Sequence, residues 1–239
     1  MTNGVLIFKG MNVGVLPGDF SISVDENGAT KSNLVLSTSY NVIPIWLRIA
    51  SDNLVLAKLA SENIKNNWTD VPDHQKSLLI LELSPSMQVI IACGIALDAF
   101  YDMLRPYAKL THSDINKWKI NKTSRAKQII EVVRRVYKLN GETLSQFNTT
   151  ISQIIKFRDM GVHPSSELKN ACTRPDLLVG IDWKFSAYRF SNAQTCFDST
   201  INMMKHLYQI ECKEKRVIED LKNIFLALDE LNIVKLNTN

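Results

Sequence analysis

The spacing of apolar residues divides the chain near residue 42. Before it, apolar residues come in short runs: Val5–Phe8, Val13–Leu16, Phe20–Val24 and Leu34–Leu36. More than half of the chain's nine glycines fall in the same stretch. Asp25-Glu26-Asn27-Gly28 is a turn signal between two of the runs. Alternation such as Phe20-Ser21-Ile22-Ser23-Val24 suits a half-buried strand, so residues 1–42 are expected to form a small β element of three or four strands. So small a sheet is marginal alone and is expected to pack on the remainder.

From residue 43 onward the period becomes helical. A first helix fits Ile43 to Asn67, with Pro44 in its first turn and Trp46, Ile49, Leu54, Leu56, Leu59 and Ile64 as apolar surface. Asp70-Val71-Pro72-Asp73 breaks it. Ser84-Pro85 reads as an N-cap followed by proline at the first helical position, and opens a second helix that ends near Leu104. That helix is apolar nearly all round, which predicts a central place in a bundle. Its exceptions are Asp98 and Asp102, one turn apart.

A third helix fits Ser124 to Leu139 and is expected to end at Asn140-Gly141. A fourth starts at Thr143. The last stretch, from about Phe190 to Val234, lacks glycine and proline; it reads either as one long helix or as two with a break near Cys212. The expected fold is mainly α: an up-and-down bundle of about five or six helices over residues 43–239, with an extended C-terminal helix and the small β element before it.

Composition narrows the picture only slightly. At 45% hydrophobic the chain can bury a substantial core, and its net charge of +4 permits contact with phosphates without demanding it. Cys93, Cys172, Cys196 and Cys212 form neither a Cys-x-x-Cys pair nor a zinc pattern, so no metal or cofactor is expected. No bilayer-length apolar stretch or signal peptide stands out, and a soluble cytoplasmic protein is expected. Three glycosylation sequons, at Asn67, Asn121 and Asn148, are then chance matches.

The chemistry concentrates in the fourth helix. Leu144, Phe147, Ile151 and Ile154 step by three or four, and the next step lands on Arg158. A charge in an apolar register needs a partner or a ligand. Gly161 is expected to cap the helix in the left-handed conformation, with Pro164 blocking its continuation, so that His163 stands just past the end. Arginine offers planar donors for phosphate, and histidine moves protons near neutrality, a combination suited to metal-free phosphodiester cleavage. The same register equally suits an arginine paired with a bundle carboxylate and a histidine that caps the helix.

Phe157-Arg158-Asp159-Met160-Gly161-Val162-His163-Pro164 resembles the Arg-x4-His motif of HEPN domains, with Asp159 at the polar position after the arginine. Upstream, Ala96-Leu97-Asp98-Ala99-Phe100 resembles the family's Ala-Leu-acidic-Ala-Phe helix. Downstream, Tyr188–Ala193 and the helix after it resemble the family's last helix. These pieces span about residues 85–212. The resemblance implies a helical bundle that forms a homodimer, with two Arg/His motifs meeting in one cleft. It implies a metal-independent endoribonuclease that acts on RNA, without cofactors, in a bacterial defence or toxin system with a possible antitoxin or defence partner. Carried over, Arg158 and His163 are catalytic and Asp159 supports them. Asp98 either orients Arg158 or pairs with Arg105 on its own helix. Two other readings remain: a catalytically silent HEPN-like module that binds a partner or nucleic acid, and a helical scaffold that pairs through its C-terminal stretch. Trp183, in the loop after the motif, is either a packing residue or a base-stacking platform.

Overall fold

A computed structural model of the chain describes residues 5–8, 10–163 and 168–235. Two compact units meet in sequence at Val42/Ile43, where the hydrophobic period changes. The first contains β1 (Met11–Gly14), β2 (Phe20–Val24), β3 (Thr30–Leu34) and β4 (Ser37–Tyr40). β1 pairs with β4 and β2 with β3, both antiparallel. Asp25–Gly28 is the turn of the second hairpin: Asp25 Oδ1 accepts from the backbone of Asn27 and of Ala29 at 2.9 Å, and Gly28 takes φ +80°. Val5–Phe8 forms no strand, and β4 arises from the polar run Ser37–Tyr40, where alternation of apolar residues offers no signal.

Among its described residues the second unit holds eight α-helices: α1 (Ile43–Asn67), α2 (Pro72–Leu104), α3 (His112–Ile120), α4 (Arg125–Tyr137), α5 (Gly141–Val162), α6 (Trp183–Ala187), α7 (Phe190–Gln209) and α8 (Lys215–Glu230). The protein is therefore mainly α with a small N-terminal β element. The helix count exceeds the expected five or six because short helices α3 and α6 carry little periodicity. α3 is set locally instead, by a capping box between Thr111 and Asp114. The C-terminal stretch is two helices, not one extended helix; Ile210 leaves the helical conformation and the chain resumes at Lys215.

α2 occupies the centre, packing on α1, α4, α5 and α7. Its residues Val89, Ile90, Cys93, Ala96, Leu97, Phe100 and Leu104 are fully buried, as its all-round apolar character predicts. α1 contributes Ile43, Leu47, Ala50, Leu54, Ala57, Ser61 and Ile64, a strict alternation of four and three. The expected stripe was partly misplaced, since Leu56 and Leu59 are exposed. Hydrophobicity alone overlooked Ala50, Ala57 and Ser61, small residues buried on the same face of α1.

α2 also starts earlier than expected. Pro72, at the first helical positions, is the N-terminal proline, and Pro85 lies inside the helix. Pro85 has no N–H for the Leu81 carbonyl, a loss that costs about 3 kcal/mol in an isolated helix. Burial of Leu78, Leu79 and Glu82 upstream offsets it by tying the extra turns to the rest of the unit. With its central stretch of mean hydropathy 1.8, the helical span Pro72–Tyr107 is long and apolar enough to cross a membrane, which the sequence reading missed; half of that stretch is buried against the protein itself.

Between α5 and α6 lies an unexpected hairpin, β5 (Cys172–Arg174) and β6 (Leu177–Ile181). It is anchored by a buried ion pair. Arg174 Nη1 stands 2.6 Å from Glu82 Oε2 on α2, both groups nearly inaccessible. The same guanidinium grips Asp176 through Nε at 3.0 Å and Nη2 at 2.6 Å. Glu82 Oε1 accepts from the backbone N–H of Phe190 at 3.0 Å and so caps α7 from another helix. Burial opposes the Arg174 charge, but the hydrogen bonds to Asp176 and Glu82 outweigh it and hold the guanidinium ionised.

Candidate functional site

Arg158 sits on α5 in the register that sequence periodicity reserves for the core. Its side chain is only 16% exposed, so its charge needs partners from the protein. They come from two directions. Asp98 Oδ2, on α2, accepts a hydrogen bond from Nη1. Asp159, the next residue on α5, accepts from Nε at 3.0 Å and lies 2.9 Å from Nη2. Of the two readings open for Asp98, its contact is with Arg158 and not with Arg105.

Gly94 explains how the arginine reaches that position. A Cβ built on Gly94 would lie 2.8 Å from Cδ of Arg158, 2.9 Å from Cβ and 3.0 Å from Cγ. The aliphatic stem therefore runs across the bare backbone of α2. Asp98 is one turn further along the same face and receives the guanidinium. Sequence reading passed over Gly94. The available signal was a glycine inside a long apolar helix, which marks close approach of another element.

Arg125, the first residue of α4, was also missed. Its Nε donates to Asp98 Oδ1 at 2.7 Å, so one carboxylate bridges two guanidinium groups. Asp102 Oδ1 stands 3.7 Å from Arg125 Nη2, and the Arg125 guanidinium lies 3.9 Å above the centre of the Tyr101 ring. Nothing in the local sequence marks Arg125; only the packing of α4 beside α2 brings it to Asp98.

The end of α5 differs from the expectation. Gly161 is helical, with no left-handed φ, and the helix runs on to Val162. His163 itself is the C-cap, at φ −117° and ψ 73°, its N–H bonded to the Asp159 carbonyl at 2.8 Å. Gly161 is needed for space. Its missing Cβ would stand 3.2 Å from the Tyr188 hydroxyl, which donates to the Phe157 carbonyl at 2.8 Å. Burial pushes the Tyr188 pKa up to about 12, which keeps the hydroxyl protonated as a donor. Pro164 lies outside the described residues. At the other end of the bundle, α4 stops at Lys138 in the left-handed conformation, and Gly141 opens α5 instead of ending α4.

Arg158, Asp159 and Asp98 are thus brought together, with Arg125 and Asp102 beside them. His163 is at the same helix end but exposed, and its imidazole makes no hydrogen bond to Arg158. Trp183, at the start of α6, is partly buried, with Lys169 Nζ 4.7 Å and Lys184 Nζ 5.1 Å from its ring centre. Among the described residues no group of His, Cys, Asp and Glu is arranged to hold a metal ion.

This geometry defines a mainly α protein with an arginine–carboxylate cluster and a histidine at one helix end. In comparisons, no family model, no curated protein and no solved structure matches the chain.

Proposed function

We propose that the protein is a metal-independent endoribonuclease whose acting groups are Arg158 and His163. The observation that carries this reading is a pre-oriented guanidinium and an exposed imidazole at the end of the same helix. In the reaction, the imidazole removes the proton of a ribose 2′-hydroxyl. The oxygen then attacks the adjacent phosphorus, the P–O5′ bond breaks as the 5′-oxygen takes a proton from water, and a 2′,3′-cyclic phosphate results. Arg158 stabilises the charge that builds on the phosphoryl oxygens. Because Arg158 is held by Asp98 and Asp159 and not by His163 within one chain, a composite cleft in a homodimer pairs the arginine of one copy with the histidine of the other. Single-stranded or looped RNA is the fitting substrate, since its backbone reaches an in-line geometry. The resemblance to HEPN domains supports a place in a bacterial defence or toxin system, with a cognate partner protein.

The test is cleavage of single-stranded RNA in EDTA by the purified protein, Arg158→Ala and His163→Ala. Loss of at least a hundredfold in both variants is expected; equal activity in all three removes the proposal.

One observation favours a second reading, a catalytically silent binding module. Arg125 and Arg158 are surrounded by Asp98, Asp102 and Asp159, two positive charges against three negative. A phosphate must displace Asp159 to reach Arg158. Under this reading no RNA turnover occurs, and Arg158→Ala alters dimerisation or partner binding instead.

A further inference from the structure

The opposite end of α5 borders a second concave site. A cleft of about 740 Å³ opens where α4 ends, α5 begins and α7 hands over to α8. Its volume lies in the range of small-molecule sites. From Asn140 at its edge to Arg158 the helix rises about 27 Å, so the cleft is separate from the arginine–histidine end.

The lining is enriched in cations. Five of its thirteen residues are Lys or Arg, against 28 of 239 in the whole chain. They divide into two sets. Arg134 and Arg135 are held by Glu131 at 2.7 Å, and Arg135 also by Asp114 at 2.9 Å, so this pair forms a neutralised wall. Lys109, Lys138 and Lys213 have no carboxylate within ion-pair distance among the described residues, although Glu211 and Glu214 line the same cleft. Lys109 and Lys138 both adopt left-handed backbone, at φ 50° and 54°.

Further features suit an anion with an organic part. Asn140 and Glu214, the residues before α5 and α8, make no side-chain cap, so the first N–H groups of two helices at the cleft's edge lack that partner. Tyr107 presents a partly exposed ring, and the two glutamates can accept hydrogen bonds from hydroxyl or amino groups.

We propose that this cleft binds a nucleoside polyphosphate, with Lys109, Lys138 and Lys213 on the phosphates and Tyr107 against the base. The assignment stands apart from the ribonuclease reading, because it uses none of the same residues.

Calorimetric titration of the full-length chain with ATP, GTP, tripolyphosphate and adenosine tests it. ATP or GTP is expected to bind with Kd below about 100 μM, tripolyphosphate more weakly and adenosine not measurably. The affinity falls as NaCl is raised. Lys109→Asn/Lys138→Asn is expected to weaken nucleotide binding at least tenfold, asparagine being chosen because it tolerates left-handed backbone. Lys213→Gln, in an ordinary backbone position, gives a smaller loss and serves if the double variant does not fold. Arg158→Ala leaves the titration unchanged. Absence of nucleotide binding up to about 1 mM, equal affinity for adenosine and ATP, or unaltered binding by the lysine variants overturns the proposal. Binding of a short RNA but of neither free nucleotide also overturns it.

Discussion

Substituting Gly94 by alanine isolates the contact that seats Arg158. In an open helix interior this change stabilises by about 1 kcal/mol, because alanine loses less backbone entropy. At Gly94 the added methyl would stand 2.8–3.0 Å from three carbons of Arg158, whereas carbon atoms pack at about 3.5–4.0 Å. One of those carbons is Cβ, fixed to the α5 backbone, so rotation of the side chain cannot relieve the overlap. Overpacking of this kind costs about 1–3 kcal/mol, and displacing Arg158 also strains its pairs with Asp98 and Asp159. The expected net is a destabilisation of about 1–2 kcal/mol, a fall in Tm of about 2–8 °C for a unit of this size. Arg158→Ala removes two of the three clashing carbons, so Gly94→Ala should cost less in that background. Urea denaturation of the four proteins in a double-mutant cycle should yield a coupling of about 1 kcal/mol or more. If Gly94→Ala stabilises by about 1 kcal/mol whether or not Arg158 is present, the crossing of α2 and α5 is not as described.

Other consequences follow from the same structure. Arg174→Met leaves Glu82 buried without its main partner and should destabilise by about 3–5 kcal/mol; Glu82→Leu/Arg174→Met should cost clearly less than the two single changes added, as urea denaturation will read. Tyr188→Phe removes the hydrogen bond to the Phe157 carbonyl and should lower stability by about 1 kcal/mol, with faster amide exchange in the last turn of α5. Hydrogen bonds from Arg174 hold Asp176, and those from Arg134 and then Arg135 hold Glu131, below the ordinary carboxylate values. Depressed folded-state values mean that their contribution is fully present above about pH 4 and is lost as pH falls through the folded values. Asp176→Asn should therefore flatten the decline of stability between neutral pH and pH 3, as seen by urea unfolding at a series of pH values.

The local sequence determined more of the helices than of the site. The period switch near residue 42, the all-round apolar α2 and the stripe of α5 identified the division, the central helix and the register of Arg158. Such patterns are legible because burial acts on every third or fourth residue of a helix independently of what covers it. The register also singled out Arg158 as a charge requiring compensation, whereas Asp98 was suggested as its partner only by the family resemblance. Helix ends were less legible. Ser84-Pro85 has the residues of an N-terminus, yet Leu78, Leu79 and Glu82 gain enough from neighbours to carry the helix past Pro85. Gly161 has the residue type of a C-cap, but its lack of a side chain serves the Tyr188 hydroxyl instead.

What only the tertiary structure decided are the partners. Asp98 meets Arg125 and Arg158 from residues 27 and 60 positions away, and Glu82 meets Arg174 across 92. An ion pair depends on where two side chains end in space, and nothing within one turn of either residue encodes that. The glycine that admits Arg158 belongs to a different helix from the arginine it serves, so its purpose became visible only once α2 and α5 crossed.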